Sequence, residues 1–152
     1  MRNLHRLIYH SRFSPSFPKT VEDQDHEIRL IIQSSIRNNR LTSLTGMLLV
    51  RGDQFLQVLE GPSEAVKVTY GRILADRRHM AAKLLSEGRA EARLFSDWNM
   101  CAHRLSRADD AILATLDRGT KPDLSNLNAH SAITLLKAVR DVQASTLARQ
   151  TA

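Results

Sequence analysis

The stretch Phe55-Leu56-Gln57-Val58-Leu59-Glu60-Gly61 reads as a strand with apolar residues on both faces and a glutamine at its centre. A buried side-chain amide carries two donors and an acceptor, and leaving them unpaired costs roughly 1–3 kcal/mol. Gln57 therefore needs partners. Tyr9 ends an apolar N-terminal run and brings a phenol, a hydrogen-bond donor that is oxidisable and loses its proton once oxidised. Asn38 and Asn39 bring two more amides, and Trp98 and Met100 lie in a late apolar stretch. Singly, each has an ordinary explanation: a tyrosine at a core rim, an asparagine pair stopping a helix, a methionine filling space. Their combination, in this order, is what raises the question of chemistry. Other site chemistry is not indicated. The six histidines lack metal-ligand spacing, Cys101 is the single cysteine, and no nucleophile–base pair stands out. The chain reads as a non-enzyme, and no metal site is assigned.

The surrounding pattern supplies elements to hold these groups. Residues 3–11, "NLHRLIYHS", have strand character and run into a proline-rich loop, "SRFSPSFPKT". From Val21 the period changes to helical, with Ile28, Ile31, Ile32 and Ile36 on one stripe and Glu22 and Asp23 in the first turn. An end is expected near Asn38-Asn39, because asparagine tolerates the left-handed conformation. "LTGMLLV" and "QFLQVLE" flank "RGD" as a hairpin, and Gly61-Pro62 stops the second strand, with Pro62 suited to a first helical position. Val66, Tyr70, Ile73 and Leu74 form the next helical stripe, ending at "ADRRH". "AAKLLSEG" and "EARLFSDWNM" read as two further strands with a turn at Glu87-Gly88.

The order β-α-β-β-α-β-β predicts an α+β, ferredoxin-like fold with one added strand and both helices on one sheet face. Two more helices are expected after it. Ser106 with Asp109 resembles a capping box ahead of Ile112, Leu113 and Leu116, with Gly119 as the stop; Ala132, Leu135, Leu136, Val139, Val142 and Leu147 give the second stripe. This pair could cover the open sheet face. Strand alternation puts Phe55, Gln57 and Leu59 on one side, and in this topology the first and third strands are central neighbours, which brings Tyr9 and Gln57 together.

A chain of 152 residues accommodates one domain with a helical appendage. Its net charge of +6 is concentrated in residues 1–105, with 16 Lys and Arg against 11 Asp and Glu, but no basic run exceeds two residues, so a scattered solvated face explains it. Apolar runs are too short for a membrane span, the N-terminus lacks a signal-peptide core, and a single cysteine suits a reducing cytoplasm.

The sequence resembles the BLUF family, blue-light sensors that use flavin. The resemblance covers residues 3–105 and rests on five motifs in order: "LHRLIYHS", "RNNRLTSLTGMLL", "FLQVLEGP", "YGRILADRRH" and "LFSDWNM". It implies noncovalent FAD with its isoalloxazine ring between the two helices. Asn38 and Asn39 would bond the ring's polar edge, Gln57 would sit between Tyr9 and the flavin N5/O4 edge, and Ile31 and Ile73 would sandwich the ring. Arg72, Asp76, Arg78 and His79 match positions nearer the carbonyl edge and the ribityl-phosphate chain. On excitation, Tyr9 would donate an electron and then a proton through Gln57. Gln57 would end rotated, tautomerised or both, shifting absorption to the red and straining the fifth strand, where Trp98 and Met100 resemble the family's relay pair.

The chain departs from the family pattern at Asn99, where a small residue is common, at Arg77 in "DRRH", and at Ser43, where glycine is common before "TG". None touches Tyr9, Gln57 or the asparagines. Residues 1–105 are expected to form the flavin-binding domain, and 106–152 a helical extension that caps or signals. The resemblance further implies self-association and a separate protein effector, a cyclic-dinucleotide enzyme or a transcription regulator. The competing reading is a flavin-free ferredoxin-like module binding protein or RNA. RNA recognition would need stacking aromatics on an open sheet face, where only Phe55 and Tyr9 are candidates.

Overall fold

In the computed structural model, which describes residues 3–96, 99–105 and 124–151, the apolar runs form five strands in one sheet. The chain order is β1 (Leu4–Phe13), α1 (Val21–Thr42), β2 (Thr45–Arg51), β3 (Gln54–Pro62), α2 (Ser63–Ala75), β4 (His79–Arg89) and β5 (Asn99–Arg104). A 3-10 turn at Leu124–Asn126 and a long helix α3 (Ala129–Thr151) follow. The strands lie in the order β4-β1-β3-β2-β5; β5 runs parallel to β2 and every other neighbouring pair is antiparallel. This is the expected α+β, ferredoxin-like arrangement with its added strand.

Side-chain alternation divides the core in two. Leu7, Tyr9, Leu48, Val50, Phe55 and Leu59 face α1 and α2, meeting Ile28 and Val66. Ile8, Met47, Leu49, Leu56 and Val58 face the other way, where Ala132, Leu135, Leu136 and Val139 of α3 cover them. The second C-terminal helix therefore does cover the open face. The expected helix through Ile112 and Leu116, with its Ser106–Asp109 box and Gly119 stop, lies outside the described residues.

Several boundaries differ from expectation, each for a local reason. β1 runs on through Arg12 and Phe13, because Phe13 pairs with His79 and packs on Phe17 and Phe55 at 4.2 and 4.7 Å between ring centroids. α1 passes through Asn38-Asn39 to Thr42, and Ser43, with φ 59°, makes the left-handed stop instead. Pro62 closes β3 with extended geometry (φ −57°, ψ 138°), so the helix begins at Ser63. Glu87-Gly88 is no turn: both pair with β1 inside β4. The fifth strand starts at Asn99, and residues 91–96 are irregular.

Glu60 explains that irregular segment. Its carboxylate is fully buried and accepts the backbone N–H of Leu94 (3.0 and 2.9 Å) and Phe95 (2.7 Å) and the Arg6 Nε (2.8 Å). Arg93 closes the other side by donating to Ser43 O (2.7 Å), Thr45 Oγ1 (2.8 Å) and Glu60 O (3.1 Å). Backbone groups that a sheet ladder would have satisfied are paired by side chains here. The β2–β3 approach is equally tight at Gly61, where an added Cβ would stand 2.6 Å from Leu44 Cδ2. No helix among the described residues is long and apolar enough to cross a membrane.

Candidate functional site

Tyr9 and Gln57 are direct cross-strand partners in the β1–β3 ladder, both pointing toward α1 and α2. They are 4% and 5% exposed, and the Tyr9 hydroxyl donates to Gln57 Oε1. This is the principal meeting the sequence pattern called for. Burial pushes the Tyr9 phenol well above its ordinary pKa, with the Tyr70 phenol and the Asp76 carboxylate adding to the effect. Tyr9 is accordingly a neutral donor at any physiological pH.

Above this pair, the cleft between α1 and α2 holds two adjoining cavities of about 50 and 170 Å3, open toward solvent. Ile31 from α1 and Ile73 from α2 line both, from opposite sides. Tyr9 and His79 line the first; Gln57 and Arg72 line the second. The helical repeat puts Ser34 and Ser35 one turn beyond Ile31, and Thr69 one turn before Ile73, on the second cavity's wall. Ser35 falls on the helical stripe read from the sequence; Ser34 and Thr69 were not singled out, although i+3 and i−4 spacing from the two isoleucines marks them.

Asp76 and Arg78 border both cavities and hold each other. Arg78 Nε lies 3.0 Å from each Asp76 carboxylate oxygen, Nη2 lies 2.6 Å from Oδ2, and Nη1 reaches Glu27 on α1 at 3.1 Å. Burial pushes the Asp76 carboxyl up, but the Arg78 hydrogen bonds and charge outweigh it, with His79 helping, and the net pKa is lowered. Hydrogen bonding to Asp76 raises that of Arg78. The guanidinium therefore ties the end of α2 to α1 across the cleft.

His79 is committed on both ring nitrogens. Nε2 donates to Ile73 O, and Nδ1 is paired with Ser11 Oγ at 2.8 Å. It borders the cavity as a brace between α2 and β1. Of the remaining predicted residues, Asn38 and Asn39 lie in the last turns of α1 and Met100 in β5, but their side chains, and Trp98 altogether, lie outside the described residues. Among the described residues, no group of three or more His, Cys, Asp or Glu could hold a metal.

Comparison with known proteins bears on this geometry. The family model described as "Sensors of blue-light using FAD" matches residues 4–101. The "Blue light- and temperature-regulated antirepressor BluF" of Escherichia coli K12 is 36% identical over 117 residues, 75% of this chain but 27% of that protein. The chain thus spans about a quarter of that curated relative's length. Among solved structures, "BlrB - a BLUF protein, dark state structure" is 31% identical with a TM-score of 0.63, covering 87% of this chain and 96% of the other. "BlsA photo-activated state" superposes with a TM-score of 0.77 over 89% of this chain and 93% of the other; at 24% identity it speaks to the fold alone.

Proposed function

Since the chain belongs to the family of blue-light sensors using FAD, we propose that Tyr9 and Gln57 are its light-operated switch. The cleft fits an isoalloxazine: two isoleucines face one another across a gap, and a glutamine amide forms part of the wall. Ile31 and Ile73 would hold the ring by apolar contact, and Asn38 and Asn39 would bond its polar edge. Arg72, beside the cleft, would meet the anionic chain of the cofactor. When bound and excited, the flavin supplies an acceptor for one electron. Tyr9 is the residue able to give one, and its O–H is already aligned on Gln57 Oε1 to release the proton. Gln57 carries donor and acceptor on one rigid group, so reorientation of the amide exchanges the polarity it presents. Two arrangements that both satisfy the buried groups lie close in energy, which is what a switch requires.

The buried Tyr9–Gln57 hydrogen bond beside the cleft carries this reading. The test is the visible spectrum of FAD-loaded protein before and after blue light. Wild type shifts to the red, and Gln57→Leu binds flavin without shifting. A normal shift in Gln57→Leu contradicts the assignment.

The output we infer is a change in contact with a separate protein, with residues 1–105 as the sensing unit; the position of α3 across the sheet face opposite the cleft supports this reading. A transcription regulator is the class suggested by the antirepressor relative. Self-association belongs to the same proposal. Pulldown and light scattering in dark and light test it, and identical results in both conditions count against it.

A further inference from the structure

Tyr9 has an aromatic neighbour that the switch does not use. The Tyr70 ring, on α2, lies 5.4 Å from the Tyr9 ring between centroids, tilted by 45°. That is ordinary contact distance for an aromatic pair. The other ring against Tyr9, His79 at 6.2 Å, is an imidazole braced on both nitrogens and much harder to oxidise than a phenol. Tyr70 is half-buried where Tyr9 is buried, and it stands outside the cavity lining. Burial raises the pKa of the Tyr70 phenol above its ordinary value, and the charge of Glu87 on β4, itself 3.2 Å from His5 Nε2, adds to the effect.

We propose that Tyr70 is a second electron donor, which refills oxidised Tyr9 and carries the oxidising equivalent from the buried site to the protein surface. The inference rests on the reading of Tyr9 as the primary donor. Two phenols in contact exchange an electron readily, and the position of the radical is then decided by where a proton can be lost. Tyr9 can release its proton only to Gln57 inside the core. Tyr70, half-buried on α2, can release one to water. In the step itself, an electron passes from Tyr70 to the Tyr9 phenoxyl. Tyr9 recovers the proton held by Gln57 and its O–H bond re-forms, while the Tyr70 O–H bond breaks and its proton goes to water. The electron first given by Tyr9 then finds its oxidised partner one ring farther off, on Tyr70, and return is slowed. Tyr70 is therefore the branch point between a completed switching cycle and net photoreduction of the bound cofactor.

The experiment uses FAD-loaded protein under blue light, with ferricyanide to draw off the electron and a nitroso spin trap to mark protein radicals. Peptide mapping then locates the adduct. The expected adduct is on Tyr70 in wild type, and it is lost in Tyr9→Phe, where no oxidised neighbour forms. In a parallel illumination without ferricyanide, Tyr70→Phe should keep the dark-reversible red shift and lose the photoreduction seen in wild type. A wild type that shifts normally but carries no adduct on Tyr70 overturns the proposal. So does an adduct on Tyr70 that survives in Tyr9→Phe, since Tyr70 would then be oxidised without Tyr9. A wild type with no red shift at all sinks the primary donor and the relay together, and the absorption spectrum identifies that case separately.

Discussion

Tyr9 faces Gln57 because residues 9 and 57 are register partners on adjacent antiparallel strands, and the same alternation aims both at the helices. Removing the hydroxyl in Tyr9→Phe takes away one buried hydrogen bond, worth about 0.5–1.5 kcal/mol of stability. It should leave FAD bound and abolish the red shift, as read in the visible spectrum. The same phenol has an alkaline signature. Burial, with Tyr70 and Asp76, raises its pKa above the ordinary 10.0, so its contribution is complete below that value and is lost as pH climbs through the folded one. Stability against pH above 10 should therefore fall less steeply in Tyr9→Phe, measured by denaturant titration. Asp76 acts at the other limb. Burial opposes ionisation, but Arg78 holds the net pKa below 3.8, so its contribution is present above that value and is lost as pH falls through the folded one. Arg78→Met should move the acid-unfolding midpoint to higher pH, followed by far-ultraviolet circular dichroism. An unmoved midpoint would mean that the Asp76–Arg78 pair adds nothing to folding.

The elements were legible where a single period governed them. α1, the β2–β3 hairpin, α2 and α3 follow their apolar stripes, and Tyr9, Gln57, Ile31 and Ile73 could be placed before any coordinates. The sequence misled where side chains replaced the backbone pattern. The run "EARLFSDWNM" looks extended, yet its first half is held irregular by Glu60 and Arg93, residues 33 or more positions away from the groups they bond. No window of local periodicity reports such a contact; the only clue was a carboxylate inside an otherwise apolar strand. Glu60→Ala would leave Arg6 and two buried N–H groups without their acceptor and should cost about 3–5 kcal/mol, read from chemical denaturation. A cost under about 1 kcal/mol would show that the segment is held by other means. The α1 stop was misplaced for a similar reason: Ser43 adopts the left-handed conformation where asparagine was expected to do so. That conformation costs a non-glycine residue about 1–2 kcal/mol, and glycine's extra chain entropy costs about 0.5–1 kcal/mol. Ser43→Gly should thus raise the melting temperature modestly; a decrease would contradict the strain.

At the scale of the molecule, one sheet separates two cores, with Tyr9 and the cleft on one side and α3 on the other. The α3 stripe was readable, and so was the open sheet face as a place for it, but the polar contacts that seat the helix there were not. Polar contacts fix it: Gln143 meets His103 of β5 at 2.6 Å, and Arg140 donates to Leu94 O at 2.6 Å with its guanidinium 5.7 Å from the Phe95 ring centroid. Phe95 belongs to the segment that Glu60 anchors, and Glu60 shares β3 with Gln57. Arg140→Ala should therefore speed amide exchange across residues 129–143 while leaving the red shift intact; unchanged exchange would show α3 to be held by its apolar face alone. All of this presupposes that a glutamine amide beside a bound flavin has two stable poses. The most direct test is the absorption spectrum of the FAD-loaded protein taken in the dark, after blue illumination, and again in the dark. The account predicts bands that move to longer wavelength and return; identical spectra throughout would contradict it.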